Sequence, residues 1–191
     1  MASKPRNILP DNFYHVYNRG AHKNPLFYTD NDYKYFLTKA LFYKEKFNIK
    51  ILAYCILPNH WHFLVQEPRK VTPGVKINHL NSSSSISAFF SSLSNSYTKF
   101  FNMNKNHSGR IFQGPFKSKI INDDNYLKIL INYINLNHVK HKISDKNTWD
   151  YTSYNEYINK SKTKIVDQDY LVDFKLCHKI ENLIIDSEFD P

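Results

Sequence analysis

A chain of 191 residues with 26 Lys and Arg against 17 Asp and Glu carries a formal charge of +9 and has a pI near 9.4. Hydrophobic residues make up 41% and aromatics 16%, enough for a buried core, which excludes bulk disorder and fits one domain with at most a short appendage. No apolar run approaches the ~18 residues of a membrane span, and Met1 to Arg6 lacks the apolar stretch of a signal peptide, so no membrane partner is expected. The positive balance suits a phosphate backbone, and 14 Tyr with 14 Phe beside the cations suit unpaired bases. Two cysteines, Cys55 and Cys177, form neither a metal-ligand spacing nor a disulfide framework, and fit a reduced, cytoplasmic setting.

In chain order, the β-formers Phe13 to Tyr17 predict a first strand that ends at the turn signal Asn18-Arg19-Gly20. Thr29 to Asp32 caps a helix whose apolar positions Tyr33, Phe36, Leu37, Ala40 and Leu41 recur at helical spacing, ending near Asn48. Ile49 to Leu57 and His60 to Val65 predict two antiparallel strands joined by a tight Pro58-Asn59 turn. Glu67 to Ser85, with its Pro, Gly and serine run, predicts a loop. A helix over Ile86 to Phe101 puts Phe89, Phe90, Leu93 and Tyr97 on one side. After a basic loop, Phe116 to Ile121 predicts a fourth strand, and Asp123-Asp124-Asn125 caps a helix from Tyr126 to about Asn137. The first six elements follow the split βαβ plan, an α+β ferredoxin-like antiparallel sheet with helices on one face, followed by a C-terminal helix and extension. The tail after Trp149 is less patterned and predicts either a strand or a helix.

The chemistry centres on His60-Trp61-His62. Residues two apart on a strand share a face, so both imidazoles can hold one divalent cation while Trp61, Phe63 and Val65 face the other way. Spacing alone equally fits two hydrogen-bonded histidines on a sheet surface. A metal site needs a third ligand and open positions for substrate. The last helix offers one: Tyr133 and Asn137, four residues apart, lie on one helical face and together bring a hydroxyl nucleophile and an amide oxygen. Ordinary helix packing for Tyr133 and a C-terminal cap for Asn137 are the other readings. Arg19, Lys99, Lys105, Arg110, Lys117 and Lys119 form a basic set suited to tracking a DNA backbone, each also readable as part of a solvated face.

Four segments carry a resemblance, in order along the chain: Tyr14 to Gly20 (YHVYNRG), Ala53 to Val65 (AYCILPNHWHFLV), Gly109 to Ser118 (GRIFQGPFKS) and Asn132 to Lys140 (NYINLNHVK). Together they resemble the REP-associated tyrosine transposases, relatives of the small insertion-sequence TnpA enzymes within the HUH endonuclease superfamily. The resemblance runs from about residue 12 to residue 157. It implies a catalytic domain over residues 1–150, with 151–191 as a C-terminal extension that is part of the same domain or a tail. It implies Tyr133 as the catalytic tyrosine, His60 and His62 as the metal pair, and Asn137 as the third polar ligand. The implied activity is metal-dependent cleavage and strand transfer on single-stranded DNA with a foldback hairpin, through a covalent 5′-phosphotyrosine, by a monomer or a homodimer. The oxygen-rich substrate and the absence of a thiolate favour Mg²⁺ or Mn²⁺ as the ion. Two departures stand out. His138 replaces a common Pro, which lets the helix run further, and Pro115 replaces a common Arg, which leaves Arg110, Lys117 and Lys119 to carry the basic strip. A hairpin-binding module that does not cut and a metallonuclease that releases free 5′ phosphate are the other functions these residues allow.

Overall fold

The computed structural model describes residues 8–69, 84–145, 149–158 and 164–167. Most of the Glu67 to Ser85 loop, the end of the tail and Cys177 lie outside the described residues. Strands β1 (Phe13–Arg19), β2 (Lys50–Leu57), β3 (His60–Gln66) and β4 (Lys117–Ile121) form one antiparallel sheet in the order β2-β3-β1-β4. Helix α1 (Asp30–Phe47) links β1 to β2, and β3 lies between them, as the split βαβ plan requires. Helix α2 (Ser85–Asn104) links β3 to β4 and packs along α1. The α+β ferredoxin-like expectation therefore holds.

Strand alternation divides the core in two. One face turns Val16, Tyr54, Ile56, Trp61, Phe63 and Val65 toward α1 and α2, where Trp61 stacks on Phe90 at 5.3 Å. The other face turns Leu57, Cys55 and Leu64 toward α3 (Asp124–Asn135), which contributes Leu127, Leu130, Ile131 and Ile134. So α1 and α2 cover one side of the sheet, and the C-terminal helix covers the other.

Two caps fix the helix entries. Thr29 and Asp32 form a capping box on α1, the Asp32 carboxylate accepting from the backbone of Tyr28 and Thr29 at 2.9 Å. At α2 the cap comes from the far end of β3: the buried Glu67 carboxylate accepts from Ser85 N at 2.6 Å and Ile86 N at 2.8 Å. Its charge also suits the positive end of the helix. Glu67→Ala orphans two buried N–H groups and is expected to lower stability by about 2–3 kcal/mol, with Glu67→Gln losing less because one acceptor remains. Urea midpoints check this, and wild-type midpoints for both variants contradict it.

The closure of the outer edge of β2 was not expected from the chain's pattern. Residues 149–158 run along it. Ile56 N donates to Tyr151 O and Ser153 N to Tyr54 O, both at 2.9 Å, and Trp149 Nε1 donates to Ile56 O. A buried Glu156 then accepts from Tyr54 Oη at 2.8 Å and from the backbone of Ile165 and Val166. This segment removes an edge that would otherwise template pairing with another chain.

Candidate active site

The site lies on the α3 side of the sheet, where β1 and β3 run side by side. His62 pairs with Tyr17 in the register, and His60 with Arg19. As strand alternation predicts, His60 and His62 share a face, their rings 5.2 Å apart and perpendicular. Both are buried, His62 completely.

Hydrogen bonds fix how each imidazole is presented. Asn59 Oδ1 lies 2.7 Å from His60 Nδ1, and an amide oxygen only accepts, so His60 carries its proton on Nδ1 and keeps the Nε2 lone pair. His62 Nδ1 lies 2.9 Å from Nε2 of the fully buried His15. His62 Nε2 is a buried atom with no hydrogen-bond partner among the described residues, and it carries the lone pair in the tautomer whose Nδ1–H donates to His15. His15 and Asn59 thus each hold one nitrogen of the neighbouring imidazole, at 2.9 Å and 2.7 Å. From the sequence, His15 reads as a structural residue of the first strand and Asn59 only as part of the turn.

Both rings of the His15–His62 pair are held neutral. Burial, aided by the charge of Lys119, pushes His15 down to about 3. Burial and the neighbouring His15, His60, His141 and Lys140 push His62 well below its ordinary value. Neutral imidazole is the form that binds a cation. It also has a stability consequence. Once unfolded, both rings take up protons near pH 6.5, whereas the fold keeps them neutral. Their contribution is present above that pH and is lost as the pH falls toward the folded values. Metal-free protein is expected to lose about 2 kcal/mol between pH 7 and pH 5.5, at about 1.4 kcal/mol per unit per ring once fully below 6.5. Urea titrations in chelator check the slope, and a flat profile contradicts it.

Helix α3 brings Tyr133 to this pair. Its ring meets that of His62 edge to face, with centroids 6.3 Å apart. Lys140 Nζ donates to Tyr133 Oη at 3.3 Å and sits 4.9 Å over the ring, placing a positive charge at the phenol oxygen. His141 packs against His60 at 4.8 Å. Neither Lys140 nor His141 was among the expected site residues. Only their proximity to Tyr133 in the sequence hinted at them.

Asn137 departs from expectation in its local structure. The helix does not run on to it. It ends at Asn135, Leu136 leaves helical geometry at φ −102°, ψ 10°, and Asn137 opens a separate turn, α4 (Asn137–Lys140). The cause lies downstream. Thr152 Oγ1 donates to the Asn135 carbonyl at 2.9 Å, and Ser153 Oγ donates to the Asn135 side chain, while Val139 N turns to Leu136 O instead. Asn137 remains fully buried, and neither of its side-chain polar atoms has a hydrogen-bond partner among the described residues. Buried amides without partners are rare, and a cation would satisfy this one. Among the described residues no group of three or more His, Cys, Asp or Glu is placed to hold a metal ion.

The basic residues divide. Arg19 ends β1 beside His60 and donates from Nε to Gln113 Oε1. Lys117 and Lys119 lie on β4, paired with Tyr17 and His15. Arg110 precedes a stretch that extends β1: Ala21 N donates to Ile111 O and Gln113 N to Arg19 O. Lys99 and Lys105 belong to α2 and its C-cap, on the opposite side of the sheet, where Lys105 pairs with Asp32 at 3.7 Å and caps the Tyr28 ring. The structure does not bring those two to the histidines.

The profile of the IS200-like transposases matches residues 10–138, which span all four strands, the histidine pair and Tyr133. The chain belongs to that family. The IS200-like chain also has the fold of a REP-associated tyrosine transposase solved bound to a REP hairpin, with a TM-score of 0.60 at 17% identity over 91% of this chain and 95% of that one. A chain from Deinococcus radiodurans R1 described as a transposase aligns over 70% of this chain and 95% of its own, at 14% identity and a TM-score of 0.43. No curated protein matches the sequence. Among the described residues no helix is long and apolar enough to cross a membrane.

Proposed function

We propose that this transposase cuts and rejoins single-stranded DNA through Tyr133, with a divalent cation held by His60, His62 and Asn137. The observation that carries the reading is the contact of the Tyr133 ring with His62, an imidazole whose one partnered nitrogen leaves the other for a metal. A phenol is a poor nucleophile at neutral pH, and a phosphodiester repels attack. Bound Mg²⁺ or Mn²⁺ would polarise and orient the scissile phosphate. The protein does the rest. Tyr133 Oη gives up its proton and bonds to phosphorus. The bond from phosphorus to the 3′ oxygen breaks, and that oxygen leaves as a hydroxyl once protonated. Lys140 faces the charge that gathers at the phenol oxygen. The 5′ end stays on Tyr133 until a 3′ hydroxyl attacks the phosphotyrosine and releases the phenol. The bond is conserved throughout, so no nucleotide cofactor is consumed.

The substrate in this reading is single-stranded DNA folded into a hairpin, as bound by the REP-associated neighbour. Arg19, Lys117, Lys119 and Arg110 supply the nearby backbone contacts, and Lys99 and Lys105 serve only a strand that wraps around the far side of the sheet. The test is incubation with end-labelled hairpin oligonucleotides and Mn²⁺, followed by a denaturing gel. A slow band holding both protein and DNA is expected. Free 5′ phosphate without such a band indicates a hydrolytic metallonuclease, and binding without any cleavage indicates a hairpin-binding module.

A further inference from the structure

Beside the histidine pair lies a cleft of about 230 Å³, lined by Tyr17, Asn18, Arg19, Gln113, Gly114, Pro115 and Lys117. It is smaller than the roughly 300–1,000 Å³ of drug-sized ligand sites, so it suits one base or one phosphate. Its wall is built with care. Asn18, buried, donates from Nδ2 to Gly114 O at 3.0 Å and accepts from Arg19 N at 2.9 Å, tying the loop to β1. Tyr17 connects the cleft to the site: its ring stacks on His62 at 5.8 Å and 24°, and Lys117 Nζ lies 5.8 Å from it.

The polar chemistry is weighted toward donors. Gln113 uses Oε1 to accept from Arg19 Nε, so what its side chain brings to the cleft is its Nε2 hydrogens. Arg19 and Lys117 only donate, and the Tyr17 hydroxyl both donates and accepts. The apolar surfaces are the Tyr17 ring and Pro115. A cleft with two cations and the Gln113 amide hydrogens beside flat walls favours a ligand rich in acceptors: a phosphate, or the O6/N7 edge of an unpaired guanine, which unlike adenine presents no donor beside N7.

We propose that this cleft is a single-nucleotide subsite that seats one unpaired nucleotide of the DNA strand next to the scissile phosphate, with Gln113 and Arg19 as its reading pair. The inference rests on the strand-cutting reading for the identity of the ligand. Gln113 is exposed, and a Cβ added at Gly114 meets nothing within 4 Å, so Gln113→Ala and Gly114→Leu leave the fold intact, the first removing donors and the second filling space.

The experiment selects binders from a random single-stranded 30-mer library, using full-length protein carrying Tyr133→Phe so that cleavage plays no part. The parent should enrich one position beside the hairpin. If the cleft reads a base, Gln113→Ala relaxes that position, which was guanine, and affinity falls about tenfold. If it holds a phosphate, the selected sequences persist, while affinity falls and Gly114→Leu weakens binding to every sequence alike. Unchanged sequences together with affinities within twofold in both variants overturn the subsite. Adduct formation by the Tyr133 protein is scored separately. A chain that fails to form adducts but keeps this selectivity overturns the cutting reading and leaves the subsite standing.

Discussion

Tyr133→Phe is expected to abolish the covalent protein–DNA band, a loss of 10³-fold or more, on the order of what removing a nucleophile costs elsewhere. Hairpin binding should stay within about threefold, because the ring and its edge-to-face contact with His62 survive and only the hydroxyl goes. The stability change should also be small, about 1 kcal/mol, since the hydroxyl accepts from the exposed Lys140 over a long 3.3 Å. The combination is diagnostic. A tyrosine that merely packs would lose neither adduct nor binding, and one that only stacks DNA would lose binding first. Adducts that persist in the Phe variant assign the nucleophile to another residue.

The second large effect belongs to His62. His62→Ala removes an imidazole that is fully buried, so it is expected to end cation-dependent cleavage and also to destabilise the fold by about 2–4 kcal/mol through the cavity and the loss of His15's partner. Because a folding defect alone could silence the site, His15→Gln gives the cleaner measurement. It keeps a polar side chain beside Nδ1 of His62 and should lower Mn²⁺ affinity by about 10–100-fold, the usual consequence of disturbing the group that orients a metal-bound histidine. Calorimetric titration with Mn²⁺ reads this directly, and raising Mn²⁺ should restore cleavage in His15→Gln but not in His62→Ala. Wild-type Mn²⁺ affinity in both variants would remove the metal from the histidine pair.

How far the chain could be read before the structure depended on whether a signal was local. The β2–β3 hairpin was legible because Pro58-Asn59 interrupts two β-forming runs, and alternation alone then set His60 and His62 against Trp61 and Phe63. The helix that carries Tyr133 was legible from its Asp123 cap and apolar spacing. Asn137 was placed correctly in sequence but not in local structure, because the hydroxyls of Thr152 and Ser153 that stop the helix are contributed from a distance. The same reason hid the closure of the β2 edge by residues 149–158. Charge was the weakest guide. Lys99 and Lys117 look alike as residues, and only the assignment of α2 to the far side of the sheet separates them. His15 read only as a structural residue and Gln113 carried no assigned role, since their partners lie 47 and 94 positions away along the chain.

The fastening of Asn135 to the strand beneath it bears on choreography. Thr152 and Ser153 each touch both Asn135 and Tyr54, so the helix that carries Tyr133 is bolted at its end to β2 of its own chain. An arm held that way does not carry its cargo elsewhere. In the proposed reaction the protein serves as a fixed anvil, and every exchange of ends is made by the nucleic acid sliding a new terminus into the same vise.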